Sequence, residues 1–299
     1  MNCQECHNSS TELLSRMIQY EHSVHYTGGN FERAADAACA VCHSHEGFVE
    51  RIAAGTDTIP AGIDNPTPPN CRTCHMIHTN YDSTDLHLRT LDPVTLLIND
   101  STVDLAGASN LCIQCHQPRV AEPMPVLGGA DVHITSPYWG PHHGPQGAVL
   151  AGTGAFEFPG TTESGPMAHG TDAGCQQCHM ATAYGDQAGG HTWNMTYTLH
   201  GQVDDNIAGC VTCHANIADF DRHSVQTDVQ ALLDSLQVLL NGKGIMTGTA
   251  LDTGTYSADL AAAYFNWDFF EQDRSLGVHN SYYVKSVLNN TITAVNAMP

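Results

Sequence analysis

Six copies of Cys-x-x-Cys-His use every cysteine in the chain. They are Cys3–Cys6–His7, Cys39–Cys42–His43, Cys71–Cys74–His75, Cys112–Cys115–His116, Cys175–Cys178–His179 and Cys210–Cys213–His214. A lone Cys-x-x-Cys reads equally as a redox dithiol, half a zinc site or a short disulfide. Histidine fills 19 of 299 positions, so chance would place it after all six pairs with a probability of about 10⁻⁷. The motif is the attachment site of a c-type haem: two thiols bond the porphyrin, and the adjacent histidine reaches the iron as proximal ligand. Six such groups in 299 residues predict a chain built around its cofactors, whose business is moving electrons.

Haem faces supply much of the buried apolar surface in such a chain, so an apolar content of 41% does not measure its core. Charge says more. There are 31 Asp plus Glu against 10 Lys plus Arg, and the lysines are Lys243 and Lys285. Haem propionates add further negative charge. Nucleic acid and anionic lipid both need a basic face, which excludes them as expected partners. The acidic excess suits solubility, cationic partners or bound Ca²⁺. No apolar run is long enough to span a bilayer. Haem attachment to these motifs normally follows export, so an exported protein is expected, with any leader outside this numbering.

The motifs start 36, 32, 41, 63 and 35 residues apart, which is no repeat period. Residues 9–26 read as a helix, with Ser9 or Ser10 as cap and His22 and His25 on one face. Residues 55–70 and 117–170 read as loops from their Gly and Pro content. Helices are expected over 228–240, 257–272 and 280–296, the last with a stripe of Val284, Val287, Leu288 and Ile292. The expected fold is mostly α with extensive loops and little β structure, stapled by haem into one hexahaem domain over 1–299. Residues 1–227 bind haem, and 228–299 form C-terminal helices that pack on that part and supply a distal ligand.

Thirteen histidines lie outside the motifs: His22, His25, His45, His78, His87, His133, His142, His143, His169, His191, His200, His223 and His279. Six would make every haem bis-histidine. Nine methionines compete and would raise the potentials. The histidine surplus favours low-potential bis-histidine haems.

The order Ala168-His169-Gly170, Cys175-Gln-Gln-Cys178-His179-Met180, Gly190-His191, Cys210-Val-Thr-Cys213-His214 resembles the pentahaem ammonia-forming nitrite reductases and their octahaem relatives. Leu111–His116 is similar to the family's third haem motif, and Gly277-Val278-His279-Asn280 to its C-terminal ligand helix. The resemblance runs from Tyr20 to Asn280. It implies that His25 ligates the haem on Cys175/Cys178, His191 that on Cys71/Cys74, His279 that on Cys112/Cys115, and His169 that on Cys210/Cys213. The Cys3/Cys6 haem is an addition to the pentahaem pattern. Its distal ligand stays open among His45, His78 and His22, with a histidine of another subunit as the sharper option.

The departures from that family bear most on function. Its catalytic haem carries a proximal lysine, where this chain has His43. Its active-site tyrosine follows the motif matching Cys112, where this chain has Gln117-Pro118-Arg119. The resemblance leaves Arg33 in the place of the family's arginine and Pro141-His142-His143-Gly144-Pro145 in the place of its histidine. The expectation is that His142 or His143, with His143 taken first, closes the distal side of the Cys39/Cys42 haem and turns a catalytic site into a relay. The chain then reads as an exported electron-transfer cytochrome rather than an enzyme. Its partners would be other redox proteins or extracellular electron acceptors. Self-association end to end into a conductive filament, resembling the cytochrome nanowires, extends this reading. A cell-surface or extracellular place is expected first and the periplasm second. The alternative is a reductase of nitrite, hydroxylamine, a sulfur oxyanion or a metal oxide, with one open haem.

Overall fold

The computed structural model describes residues 11–299. Eleven α-helices fall within them: α1 Thr11–Glu21, α2 Val24–Thr27, α3 Ala37–His43, α4 His45–Ala54, α5 Cys71–Cys74, α6 Ser109–Ile113, α7 Gln146–Ala151, α8 Gly174–His179, α9 Val225–Gly242, α10 Ala258–Asp273 and α11 Ser281–Ala297. Strands are short and form four two-stranded antiparallel sheets. The fold is mostly α with little β. Among the described residues no helix is long and apolar enough to cross a membrane.

The chain forms two compact units that interleave along the sequence. The first takes the described residues within Met1–Asp92, Gly107–Cys115 and Ala173–Asp219. It holds all ten described motif cysteines. One apolar cluster of this unit holds Ala34, Ala40, Val41 and Ile59, with Ala37, Cys42 and Ile63 packed around them. Phe48, Leu111 and Ile113 are buried in the same unit.

Helices here are short and closely capped. Asp36 caps α3 by accepting from Ala38 N at 2.8 Å, and Ser44 caps α4 by accepting from Gly47 N at 3.1 Å. Asn70 and Thr73 form a reciprocal capping box on the single turn of α5. The helix expected over 9–26 breaks at His22–Ser23. Ser23 Oγ donates to the Tyr20 carbonyl and accepts from Tyr26 N, so its side chain ends one helix and caps the next. His22 and His25 therefore part company: His22 Nδ1 lies 3.3 Å from Asp186 Oδ2, while His25 packs on Trp193.

The second unit comprises Pro93–Ala106, His116–Asp172 and Phe220–Pro299. It has an apolar core of its own. Helix α9 buries Val229, Leu233, Leu236 and Leu240, and α11 buries Tyr283, Val284, Val287, Leu288 and Val295. Helix α10 is buried nearly all round: its Phe265 stacks on Phe269, Phe269 meets Phe270 edge-to-face, and Phe270 meets Tyr283 in the same way. Asn266 sits in this core with its polar atoms met by both backbone groups of Phe156 and by Thr291 Oγ1. The stretch expected to be one long loop contains α7, wholly buried from Gly147 to Ala151, and a strand, Val132–Ile134, that pairs with Gly254–Tyr256.

Candidate functional site

Four of the five described motifs lie on or beside a helical turn. Residues i and i+3 are neighbours on a helix, so both thiols point to one side and the histidine follows directly. Helix α3 carries Cys39, Cys42 and His43, and α8 carries Cys175, Cys178 and His179. Helix α5 carries Cys71 and Cys74 with His75 as its C-cap. Cys112 lies on α6, with Cys115 and His116 just beyond it. Cys210 follows a 3₁₀ turn, and His214 N bonds back to the Cys210 carbonyl at 2.8 Å. Cys3, Cys6 and His7 lie outside the described residues.

All ten described cysteines are free thiols. A zinc site needs four converging ligands. Among the described residues no group of three or more His, Cys, Asp or Glu converges to hold a metal ion. This applies equally to the Ca²⁺ that the acidic composition suits. Free thiol pairs beside a histidine are the donor set of a covalent haem, and this set fits the group.

Thiols of different motifs touch. Cys42 hydrogen-bonds Cys115, and Cys112 hydrogen-bonds Cys175. These contacts and burial push the Cys115 and Cys112 thiols well above the ordinary range. Burial, then Cys210, Cys175 and Cys213, push Cys178 up to about 11. The motifs thus form a spatial series: Cys39/Cys42, Cys112/Cys115, Cys175/Cys178, Cys210/Cys213. Cys74 interacts electrostatically with both Cys112 and Cys115.

The histidines show a common pattern. His75 Nδ1 lies 2.8 Å from the Leu86 carbonyl, His179 Nδ1 3.0 Å from the Trp193 carbonyl, and His169 Nδ1 2.7 Å from the Val278 carbonyl. His279 Nδ1 lies 2.6 Å from Asp273 Oδ1, and His116 Nδ1 3.3 Å from Gln146 Oε1. Carbonyl and carboxylate oxygens only accept, so each ring donates from Nδ1 and, when neutral, presents the Nε2 lone pair. Metal-ligating histidines are held in this way. His169 also opens a π-helical turn, His169–Ala173, a form common at functional sites.

Within the first unit His75 and His191 face each other with ring centroids 6.4 Å apart and planes tilted by 31°. Two imidazole–metal bonds of about 2 Å each, plus two half-rings, span roughly that gap. Burial, followed by His75, holds His191 below the usual histidine range, in the neutral form that binds metal. Helix α1 places His191, because Gln19 Oε1 accepts from its backbone N at 3.0 Å. His25 packs edge-on to Trp193 with centroids 4.7 Å apart, and the carbonyl of the same Trp193 orients His179. His45 Nδ1 lies 3.0 Å from Thr73 Oγ1, and burial holds this ring too below the usual range.

Within the second unit His116 and His279 interact. Local desolvation, opposed by the Gln146 bond and reinforced by His279, holds His116 below the usual range. His142 and His143 lie side by side, centroids 5.2 Å apart, but with different partners. Arg119 Nη2 lies 3.3 Å from His142 Nδ1, and a guanidinium only donates. His143 Nδ1 instead lies 2.7 Å from Gln272 Oε1. The residues that orient these rings, among them Asp273, Gln272, Gln146 and Arg119, belong to no motif and carry no signal in the sequence.

No protein-family model matches the chain, and no curated protein matches it. Among solved structures the chain is similar to the outer cell wall cytochrome OcwA, with a TM-score of 0.59 and 20% sequence identity. The match covers 94% of this chain and 50% of that one, so the chain spans about half the length of that cytochrome. The similarity is one of fold.

Proposed function

We propose that this chain is an exported multihaem c-type cytochrome that relays electrons along a closely spaced series of haems. The observation that carries the reading is the contact between thiols of successive motifs, Cys42 with Cys115 and Cys112 with Cys175. Attachment points that touch bring the attached groups into van der Waals range of one another. Each bound haem supplies a one-electron couple, with a potential set by its axial ligands, surrounding charge and burial. The protein holds the thiols at helical spacing and fixes the imidazole rings through Nδ1. In this reading His191 pairs with His75, His25 with His179 and His279 with His116. His143 serves the Cys39/Cys42 haem, His169 the Cys210/Cys213 haem and His45 the Cys3/Cys6 haem.

The likeness to an outer cell wall cytochrome supports a place outside the cell, with extracellular acceptors or other redox proteins as partners. Six haems per chain, and end-to-end association into a filament, complete the proposal. Low-temperature EPR of the oxidised protein, with spins counted against total haem, tests it. Six low-spin signals of bis-histidine type are expected.

A second reading, a reductase with one open haem, draws on the Arg119–His142 contact beside His143, a cationic and proton-bearing pair suited to an oxyanion. One high-spin haem, lost on adding nitrite or hydroxylamine, would select it.

A further inference from the structure

Arg51, on α4, is 3% exposed in a chain with only 10 Lys plus Arg. Its Nη1 donates to the Gln114 carbonyl at 2.9 Å and reaches Cys42 Sγ at 4.0 Å. Its Nη2 donates to Gln114 Oε1 at 2.5 Å. Nε has no hydrogen-bond partner. Gln114 lies between Cys112 and Cys115, so one guanidinium grips the turn of one haem motif and touches a cysteine of another. Its field also reaches Cys115.

A guanidinium is a permanent cation, and burying one is costly unless a counter-charge accompanies it. The carboxylate at hand, Asp57, lies 3.5 Å from Nη2 and is 53% exposed, so solvent screens the pair. Cys42 and Cys115 mark the thioether edge of each porphyrin, and the propionates leave from the opposite edge. A net positive charge therefore persists where two haems meet. Reduction adds an electron to each, and a nearby cation favours the reduced form.

We propose that Arg51 is a positioning residue shared by the Cys39/Cys42 and Cys112/Cys115 haems, clamping their motifs together and raising the reduction potential of both. The inference rests on the haem reading above and deepens it: this pair becomes the more oxidising step of the series, where electrons collect.

The test is spectroelectrochemical titration of the holoprotein at low ionic strength, with covalent haem counted first by the pyridine haemochrome. A count below six speaks against the haem reading and leaves Arg51 to be judged on the haems present. In R51Q, the third of the haem absorbance that belongs to this pair should move to lower potential. The reduced-to-oxidised ratio at fixed potential should fall about 10-fold, or about 59 mV for a one-electron couple. R51K keeps the charge and should stay nearer wild type. If R51Q does not fold, R51M, which keeps the buried stem without the charge, is titrated in its place and should show the same downward shift. An R51Q curve, or an R51M curve where R51Q is lost, that superimposes on wild type overturns the proposal.

Discussion

His143 Nδ1 lies 2.7 Å from Gln272 Oε1, and Gln272 Nε2 donates to Asp268 Oδ1 at 3.1 Å. Burial pushes Asp268 up to about 6, so at neutral pH it is an acceptor and fixes which end of the amide faces His143. His143 then donates from Nδ1 and presents Nε2 as a lone pair. His142 is held the other way, because Arg119 donates toward its Nδ1 and the proton moves to Nε2. Two adjacent histidines, equivalent in the sequence, are thus made different by residues far along the chain. His143→Ala should convert one haem from low to high spin, and His142→Ala should leave the spin count unchanged. EPR spin quantification of both variants checks this. The reverse result would exchange the two roles.

The His75–His191 pair admits a sharper experiment, since both rings lie in one unit at the spacing of a shared iron. His191→Gly should leave the Cys71/Cys74 haem high-spin, about one sixth of the total given six motifs. Added imidazole should restore the low-spin signal, because the protein loses the ligand and keeps the cavity. A low-spin spectrum in the variant without imidazole would mean that another residue ligates this haem.

How much of this was legible beforehand differs from element to element. The motifs were readable because covalent attachment demands a fixed local spacing. The helices at 225–242, 258–273 and 281–297 were readable because long amphipathic or apolar runs repeat at helical spacing. Helix α7 was not: it is six residues long, buried and flanked by Gly and Pro, so no period emerges. The break at Ser23 was hidden because a serine inside a helical pattern does not announce that its hydroxyl has turned to cap the next turn. The groups that tune the rings were invisible for a different reason. His116 meets Gln146, 30 residues on, and Arg51 meets Gln114, 63 residues on. Such pairs exist only once the chain is folded.

Asp273 illustrates what those groups do. It is buried, and it accepts from His279 Nδ1 at 2.6 Å and from Ser275 Oγ. A carboxylate in this position makes the imidazole a stronger donor and fixes its ring. Asp273→Asn should weaken His279 as a ligand by about 10–100-fold. In the reading above this loosens the Cys112/Cys115 haem and raises its potential. Cyanide titration, with the affected haem binding at lower concentration than in wild type, measures it. Unchanged cyanide binding would detach His279 from any iron.

A last prediction concerns the scaffold. Helix α9 begins after His223 and Ser224, two successive non-glycine residues with φ of 57° and 58°, a conformation that costs roughly 1–2 kcal/mol each. Asp221 holds this turn. Its Oδ1 accepts from Gln226 N at 2.8 Å and Thr227 N at 3.1 Å, and its Oδ2 from Thr227 Oγ1 at 2.6 Å. The Thr227 hydroxyl, then the backbone amides, hold the Asp221 carboxyl below its usual 3.8. A carboxylate whose folded value is depressed stabilises above its unfolded value, and that contribution is lost as pH falls through the folded one. Asp221→Ala should therefore lower Tm at pH 7. The gap from wild type should narrow only below about pH 4, as the wild-type carboxylate takes up its proton. Melting both proteins from pH 7 to pH 2.5 gives the answer. A gap that stays constant to the acid limit would mean that Asp221 acts through packing and that its charge does not hold the turn.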